Sequence, residues 1–178
     1  LGSPQFYDSS IFVSRGETRV VFLEHIPSKG DRLMTGNIVE GNVVDFRAIF
    51  PELGTYKNPT VTVDAKGQAY LSWEEFKEDR WQVMVACFDD GRTERIEVLN
   101  QPAFFSGNLQ AASVGMSFAN GINHATAPHP QGGVSIVWQQ DMGGQFDVAH
   151  AKVSDGLQIS EQNILSNNPR GDWAPRIA

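Results

Sequence analysis

Apolar and polar residues alternate along this chain in short runs, and the runs are separated by glycine, proline, asparagine and aspartate. The stretch from Asp64 to Trp73 shows the pattern best. Gly67 provides a turn, and Ala69-Tyr70-Leu71-Ser72-Trp73 follows as a run rich in residues that pack well on a pleated surface. Period-two alternation between turn signals predicts β-strands and not helices, so we expect an all-β protein.

The same turn-and-strand pattern occurs three times. In each copy a glycine lies six residues before an aromatic side chain: Gly16 and Phe22, Gly67 and Trp73, Gly132 and Trp138. The aromatic residues are separated by 51 and then 65 residues, and the longer interval contains a stretch of isolated apolar residues among Ala, Ser, Gly and Asn. The repeat therefore indicates structural units of about fifty residues with one insertion.

A period of this length, with four short strands in each unit, is typical of a β-propeller. A β-sandwich is the rival all-β interpretation, but the recurrence of the pattern in register favours the propeller. We predict a single β-propeller-like domain or fragment over residues 1–178. It has three four-stranded blades, at 11–50, 59–100 and 124–166. An insertion occupies 101–123, and the first strand of a further blade lies at 173–178.

Three blades and one strand do not close a ring, because propellers normally have four to eight blades. Two explanations remain open. The chain is either part of a longer protein, or two copies associate as a homodimer that closes the ring and leaves no open edge.

The pattern from Pro59 to Trp73, Pro-x-x-x-x-Asp-x-x-Gly followed by apolar residues and Trp, resembles the repeats of bacterial propellers of the TolB-like and sialidase-like groups. It departs from the sialidase Asp-box, Ser-x-Asp-x-Gly-x-Thr-Trp, because Gly67 lies three residues after Asp64. No set of three arginines with a Tyr–Glu nucleophile pair can be assigned. The resemblance therefore implies the fold and, together with the single cysteine, a secreted or periplasmic location, but not sialidase activity.

Composition narrows the choice of partners. The 178-residue chain has a net charge of −7 and a pI near 5.0, which disfavours binding to nucleic acid or to an anionic membrane surface. No apolar run is long enough for membrane insertion. Cys87 is the only cysteine, so no internal disulfide is possible, and we interpret it as a small buried residue.

Polar residues follow the repeated aromatic residue in each unit, and we expect them at one rim of the propeller. There they could bind sugar hydroxyls or a cation, together with two nearby tryptophans. The alternative is that these positions recur because every blade needs them. The candidate ligand-binding residues are Glu24, Glu74, Glu75, Gln139, Gln140, Asp141, Trp81 and Trp173.

No catalytic residue, metal ligand or cofactor is predicted. A calcium loop would need a glycine that the stretch from Glu74 to Arg80 lacks, and the four histidines do not form a zinc pattern. We therefore predict a non-catalytic binding or scaffold module for a protein or glycan partner. The alternative is part of a glycoside hydrolase-like enzyme whose active site is completed by other sequence, since two carboxylates about 5–10 Å apart would suffice.

Overall fold

The fold is taken from a computed structural model of the chain. The structure describes residue 3 and the ranges 5–89, 92–98, 121–141, 145–154, 157–166 and 174–178. Most of the predicted insertion, at 101–120, and the predicted site residue Trp173 lie outside the described residues.

The described residues form strands and turns and contain no α-helix. The strands make three four-stranded antiparallel sheets, each with its strands in chain order. The first contains β1 (Gln5–Ser14), β2 (Glu17–Ile26), β3 (Gly30–Val39) and β4 (Asn42–Ala48). The second contains β5 (Tyr56–Val63), β6 (Ala69–Lys77), β7 (Arg80–Asp89) and β8 (Arg92–Val98). The third contains β9 (Gly121–Pro128), β10 (Val134–Asp141), β11 (Phe146–Val153) and β12 (Ile159–Ile164).

The predicted all-β, propeller-like class is confirmed, and the described part of the chain is an open set of sheets, not a closed ring. The first strands of the sheets are the inner ones, because β5 contacts both β1 and β9. These three inner strands bring the beginnings of all three repeats together at one end of the molecule.

The sheets pack face to face through two apolar clusters. Trp73 and Phe88 of the second sheet pack against Leu23 and Leu33 of the first. Trp138 of the third sheet lies in a second cluster, with Tyr70, Val83 and Val85 of the second sheet. In the second and third sheets the repeated aromatic residue is thus the anchor of the sheet on the one before it, which explains why a large side chain recurs there.

Asp64 shapes the turn that precedes the repeated strand in the second sheet. Its Oδ1 accepts hydrogen bonds from the backbone N–H groups of Lys66 and Gln68, each at 2.9 Å. Its Oδ2 accepts one from the N–H of Gly133 in the third sheet, also at 2.9 Å. The buried carboxylate therefore shapes a turn and also joins two sheets.

We expect Asp64→Ala to lower the free energy of unfolding by about 3 kcal/mol, because three backbone donors lose a charged acceptor. Urea unfolding followed by circular dichroism measures the change. The exposed Glu17→Ala, in strand β2, should change it by less than about 0.5 kcal/mol. Equal effects of the two substitutions would contradict this role for Asp64.

Candidate functional site

Each inner strand contains an irregularity near its start. The pairing register shifts between Tyr7 and Ser9 in β1, between Lys57 and Thr60 in β5, and next to Asn123 in β9. A non-glycine residue with positive φ lies at each bulge: Asp8 at 45°, Asn58 at 51° and Asn123 at 53°. Ala174 has a φ of 51° at the corresponding place after the third sheet. Asp and Asn adopt this conformation more readily than most residues, and bulges commonly redirect side chains near functional sites.

The bulges surround an open cleft at the end of the inner strands, which we call the axial cleft. It has a volume of about 400 Å³. Asp8, Asn123 and Arg176 are exposed there, and Asn58 is half-buried. The full lining is Asp8, Ser9, Asn58, Pro59, Thr60, Asn123, His124, Ala174 and Arg176. The cleft thus offers an anionic acceptor, two amides and a guanidinium to a ligand.

The bulge residue is used differently in the three sheets. Asn58 Nδ2 donates to Glu74 Oε1 at 3.0 Å, and Asn123 Nδ2 donates to Gln139 Oε1 in the same way. Leu23 occupies the equivalent position in the first sheet, and it cannot accept a hydrogen bond. Asp8 is itself an acceptor and would need a donor at that position, but the Leu23 side chain offers neither a donor nor an acceptor.

Asp8 is held instead by the first strand of the second sheet. Its Oδ2 accepts the backbone N–H of Asn58 at 3.2 Å, while the residue as a whole stays exposed to solvent. The first bulge thus places a carboxylate in the cleft where the other two place amides.

Glu74 lies beneath the cleft and joins two sheets. Its Oε1 accepts from Asn58 Nδ2 and from the backbone N–H of His124 at 3.1 Å, and lies 3.0 Å from His124 Nδ1. Its Oε2 lies 3.2 Å from Lys57 Nζ. The side chain is completely buried, so these partners together offset the cost of removing the charge from water.

Burial alone would raise the pKa of the Glu74 carboxyl. The hydrogen bond and the charge of His124 act against burial, as do Asn58 and Lys57, and the net result is a pKa below the ordinary value of 4.5. Glu74 is therefore ionised at neutral pH. It acts as a fixed anion and not as a proton donor.

Ser72 completes a buried Ser–His–Glu arrangement. Its Oγ lies 3.0 Å from His124 Nε2, while His124 Nδ1 faces Glu74. The order of groups matches a nucleophilic triad. However, Ser72 is 1% exposed and the His124 and Glu74 side chains are 0% exposed, so a substrate cannot reach the hydroxyl. The arrangement cross-links the second and third sheets.

Trp81 connects to this network through a cation. Lys57 Nζ lies 3.9 Å from the centroid of the Trp81 ring while it pairs with Glu74. The indole ring therefore stabilises the lysine whose charge compensates the buried carboxylate. Of the predicted site residues, Glu74 and Trp81 thus share the Lys57 ammonium, Gln139 accepts from Asn123, and none of the three lines the cleft itself.

The other predicted site residues lie at the same end of the molecule but serve their own sheets. Glu24 Oε2 accepts from Arg32 Nε and Nη2 at 2.9 and 2.7 Å. Gln140 Oε1 accepts from Trp138 Nε1 at 2.9 Å. Burial raises the pKa of Glu75, which faces Tyr56 across the β5–β6 pair, and Asp141 ends β10 partly exposed.

Sequence reasoning missed Asp8, Asn58, Asn123 and Arg176. A signal for them was present, because Tyr7-Asp8-Ser9, Lys57-Asn58-Pro59, Ile122-Asn123-His124 and Trp173-Ala174-Pro175 are spaced by 50, 65 and 51 residues. The interval of 65 equals that between Trp73 and Trp138, and the interval of 50 is one residue shorter than that between Phe22 and Trp73. Within the described ranges no group of three histidine, cysteine, aspartate or glutamate side chains is arranged to hold a metal ion.

The sequence matches no protein-family profile and no curated protein. Solved structures share its fold. An endo-arabinase from Bacteroides thetaiotaomicron superimposes with a TM-score of 0.58 at 14% identity, over 92% of this chain and 63% of the arabinase. A puromycin-hydrolysing peptidase from Mycobacterium tuberculosis gives 0.54 at 18% identity, over 93% of this chain and 24% of the peptidase.

An α-L-arabinofuranosidase from Lactobacillus brevis gives a TM-score of 0.51 at 11% identity, over 92% of this chain and 54% of the enzyme. This chain thus spans less than two thirds of each of the three proteins. At such identities the likeness shows the fold alone. No helix of the length and hydrophobicity needed to cross a bilayer occurs in the described part of the chain.

The lowered pKa of Glu74 predicts a pH-dependent effect of Glu74→Gln. A carboxyl whose pKa is lowered by folding stabilises the protein above its unfolded pKa, and this contribution is lost as the pH falls through the folded pKa. The variant should therefore be less stable than the parent at about pH 7, and the difference should shrink below the ordinary value of 4.5. Urea unfolding at several pH values measures it, with Glu17→Gln as control. If the difference in the free energy of unfolding between the parent and Glu74→Gln stayed constant down to about pH 3, the assignment of Glu74 as a stabilising ionised carboxylate would be contradicted.

Proposed function

We propose that the axial cleft binds a carbohydrate, and that the protein is a binding module. The observation that carries the proposal is the exposed Asp8 carboxylate, which stands among Asn58, Asn123 and Arg176 at the mouth of the cleft. Carboxylate, amide and guanidinium groups together provide both acceptors and donors, which neighbouring sugar hydroxyls require.

Arabinose-containing oligosaccharides are the first ligands to test. The endo-arabinase and the arabinofuranosidase have this fold with TM-scores above 0.5, and their names state the sugar they act on. Transfer of that sugar to this chain is part of the proposal. A secreted or periplasmic location fits a protein that binds such a sugar, and we propose it together with the ligand. The assignment to the TolB-like or sialidase-like groups and the binding of a protein partner are further parts of the proposal.

Glycoside hydrolysis is the second candidate, and Asp8 is the observation that favours it. A hydrolase of the usual kind needs two carboxyl groups that reach the glycosidic bond. Among the described residues that line the cleft, Asp8 alone carries a carboxylate. Glu74 does not supply the second, because it is buried, ionised and bound by its neighbours. Hydrolysis would therefore need a carboxylate from outside the described residues.

The test is isothermal titration calorimetry of the chain with linear arabino-oligosaccharides, and with a malto-oligosaccharide of equal length as control ligand. We expect Asp8→Asn to weaken binding at least about tenfold, because a charge-assisted hydrogen bond to the sugar is lost. Asp45→Asn makes the same change at an exposed position of β4 and should leave the affinity unchanged.

Equal affinities of the parent and Asp8→Asn, or binding of neither sugar, would contradict the proposal. The same samples are assayed for newly formed reducing ends. Release of sugar by the parent but not by Asp8→Asn would favour the hydrolase in place of the binding module.

A further inference from the structure

The hydrogen bonds beneath the axial cleft fix how its two amides face a ligand. Asn58 Nδ2 donates to Glu74 Oε1 at 3.0 Å, and Glu74 is ionised at neutral pH, so its oxygens can only accept. The Asn58 amide therefore cannot turn over without placing its carbonyl oxygen against a buried carboxylate. Its Oδ1 is left on the side of the cleft, and in the described part of the chain it accepts no hydrogen bond from the protein.

Asn123 repeats this arrangement in the third sheet. Its Nδ2 donates to Oε1 of the buried Gln139, and within the described ranges its Oδ1 also accepts no hydrogen bond. Asn123 is exposed at the cleft. Two of the three bulges thus present a carbonyl oxygen, and not an amide N–H, to whatever enters the cleft.

Asp8 gives the same result at the first bulge by a different route. Leu23 lies where Glu74 and Gln139 lie in the other sheets, and it cannot orient an amide. A carboxylate needs no such orientation, because both of its oxygens accept hydrogen bonds. Asp8 Oδ2 accepts the backbone N–H of Asn58, while Oδ1 accepts no hydrogen bond from the described residues.

Three acceptor oxygens from three successive inner strands therefore line one cleft, and a ligand has to bring the donors. A hard cation would suit such oxygens, but it normally takes about six to eight of them. The guanidinium of Arg176 lines the same cleft and would repel a cation. Neutral hydroxyl groups avoid that repulsion, and their oxygens can in turn accept from the guanidinium.

We propose that Asp8 Oδ1, Asn58 Oδ1 and Asn123 Oδ1 accept hydrogen bonds from three hydroxyl groups of the bound sugar. The cleft then selects its ligand by the donors that the ligand carries. This mode of recognition rests on the proposed function, because it specifies how the cleft recognises a carbohydrate. A fluorine atom in place of one of the three hydroxyl groups cannot donate, so it should weaken binding.

Neutron diffraction from a deuterium-exchanged crystal of the chain without sugar tests the orientation of the amides. We expect the deuterium atoms of Asn58 and Asn123 on the side-chain atom that faces the second strand of each sheet, and none on the atom that faces the cleft. Asn42, whose Nδ2 donates to the carbonyl oxygen of Glu40, is the control that side-chain amides have exchanged. Deuterium on the cleft side of either amide would overturn the proposal, whether or not a sugar binds.

Isothermal titration calorimetry with arabinotriose analogues, each with one hydroxyl group replaced by fluorine, tests the donor requirement. We expect three of the analogues to bind at least about fivefold more weakly than arabinotriose, because each of these loses one hydrogen bond. Weaker binding by fewer than three analogues would overturn this mode of recognition alone. Absence of binding to arabinotriose itself would overturn the proposed function as well.

Discussion

The buried carboxylate of Glu74 is the constraint on which the arrangement of the inner strands depends. A buried ionised group needs partners that offset its desolvation, and Glu74 finds them on both β5 and β9. Its Oε1 accepts hydrogen bonds from both strands, while its Oε2 makes no hydrogen bond and lies 3.2 Å from the Lys57 ammonium. Lys57 compensates its charge and is itself covered by the Trp81 ring. Because the donors include the backbone of His124, the carboxylate fixes the position of one inner strand relative to the next. The floor of the axial cleft is therefore set by electrostatics as well as by apolar packing.

The cleft itself arises where the sheets depart from regular geometry. In a regular strand successive side chains alternate between the two faces and would pack between sheets. The bulges at Asp8, Asn58 and Asn123 break this alternation and direct polar groups into the axial cleft. In two sheets the polar side chain is held by its own second strand. In the first sheet Leu23 removes that partner, and a carboxylate stands in the cleft. This difference among otherwise equivalent copies leaves an exposed carboxylate at Asp8 and amides held by hydrogen bonds at Asn58 and Asn123.

The sequence was sufficient to predict the repeat and the four strands of each sheet, because these follow from local alternation and turn residues. It did not reveal that β1 begins at Gln5, since the bulge at Asp8 interrupts the period that identifies a strand. It also placed Glu74 at an exposed rim. The partners that bury this residue are His124, fifty positions away, and Asn58 and Lys57 on another strand. Such contacts depend on how sheets meet, which local patterns do not specify.

We propose that this protein binds its ligand in the axial cleft and not at another surface. A crystal structure of the chain grown with a linear arabino-oligosaccharide tests it most directly. We expect a sugar ring hydrogen-bonded to the Asp8 carboxylate and to at least one of the amides of Asn58 and Asn123. A sugar bound only elsewhere on the surface, with the cleft filled by solvent alone, would contradict it.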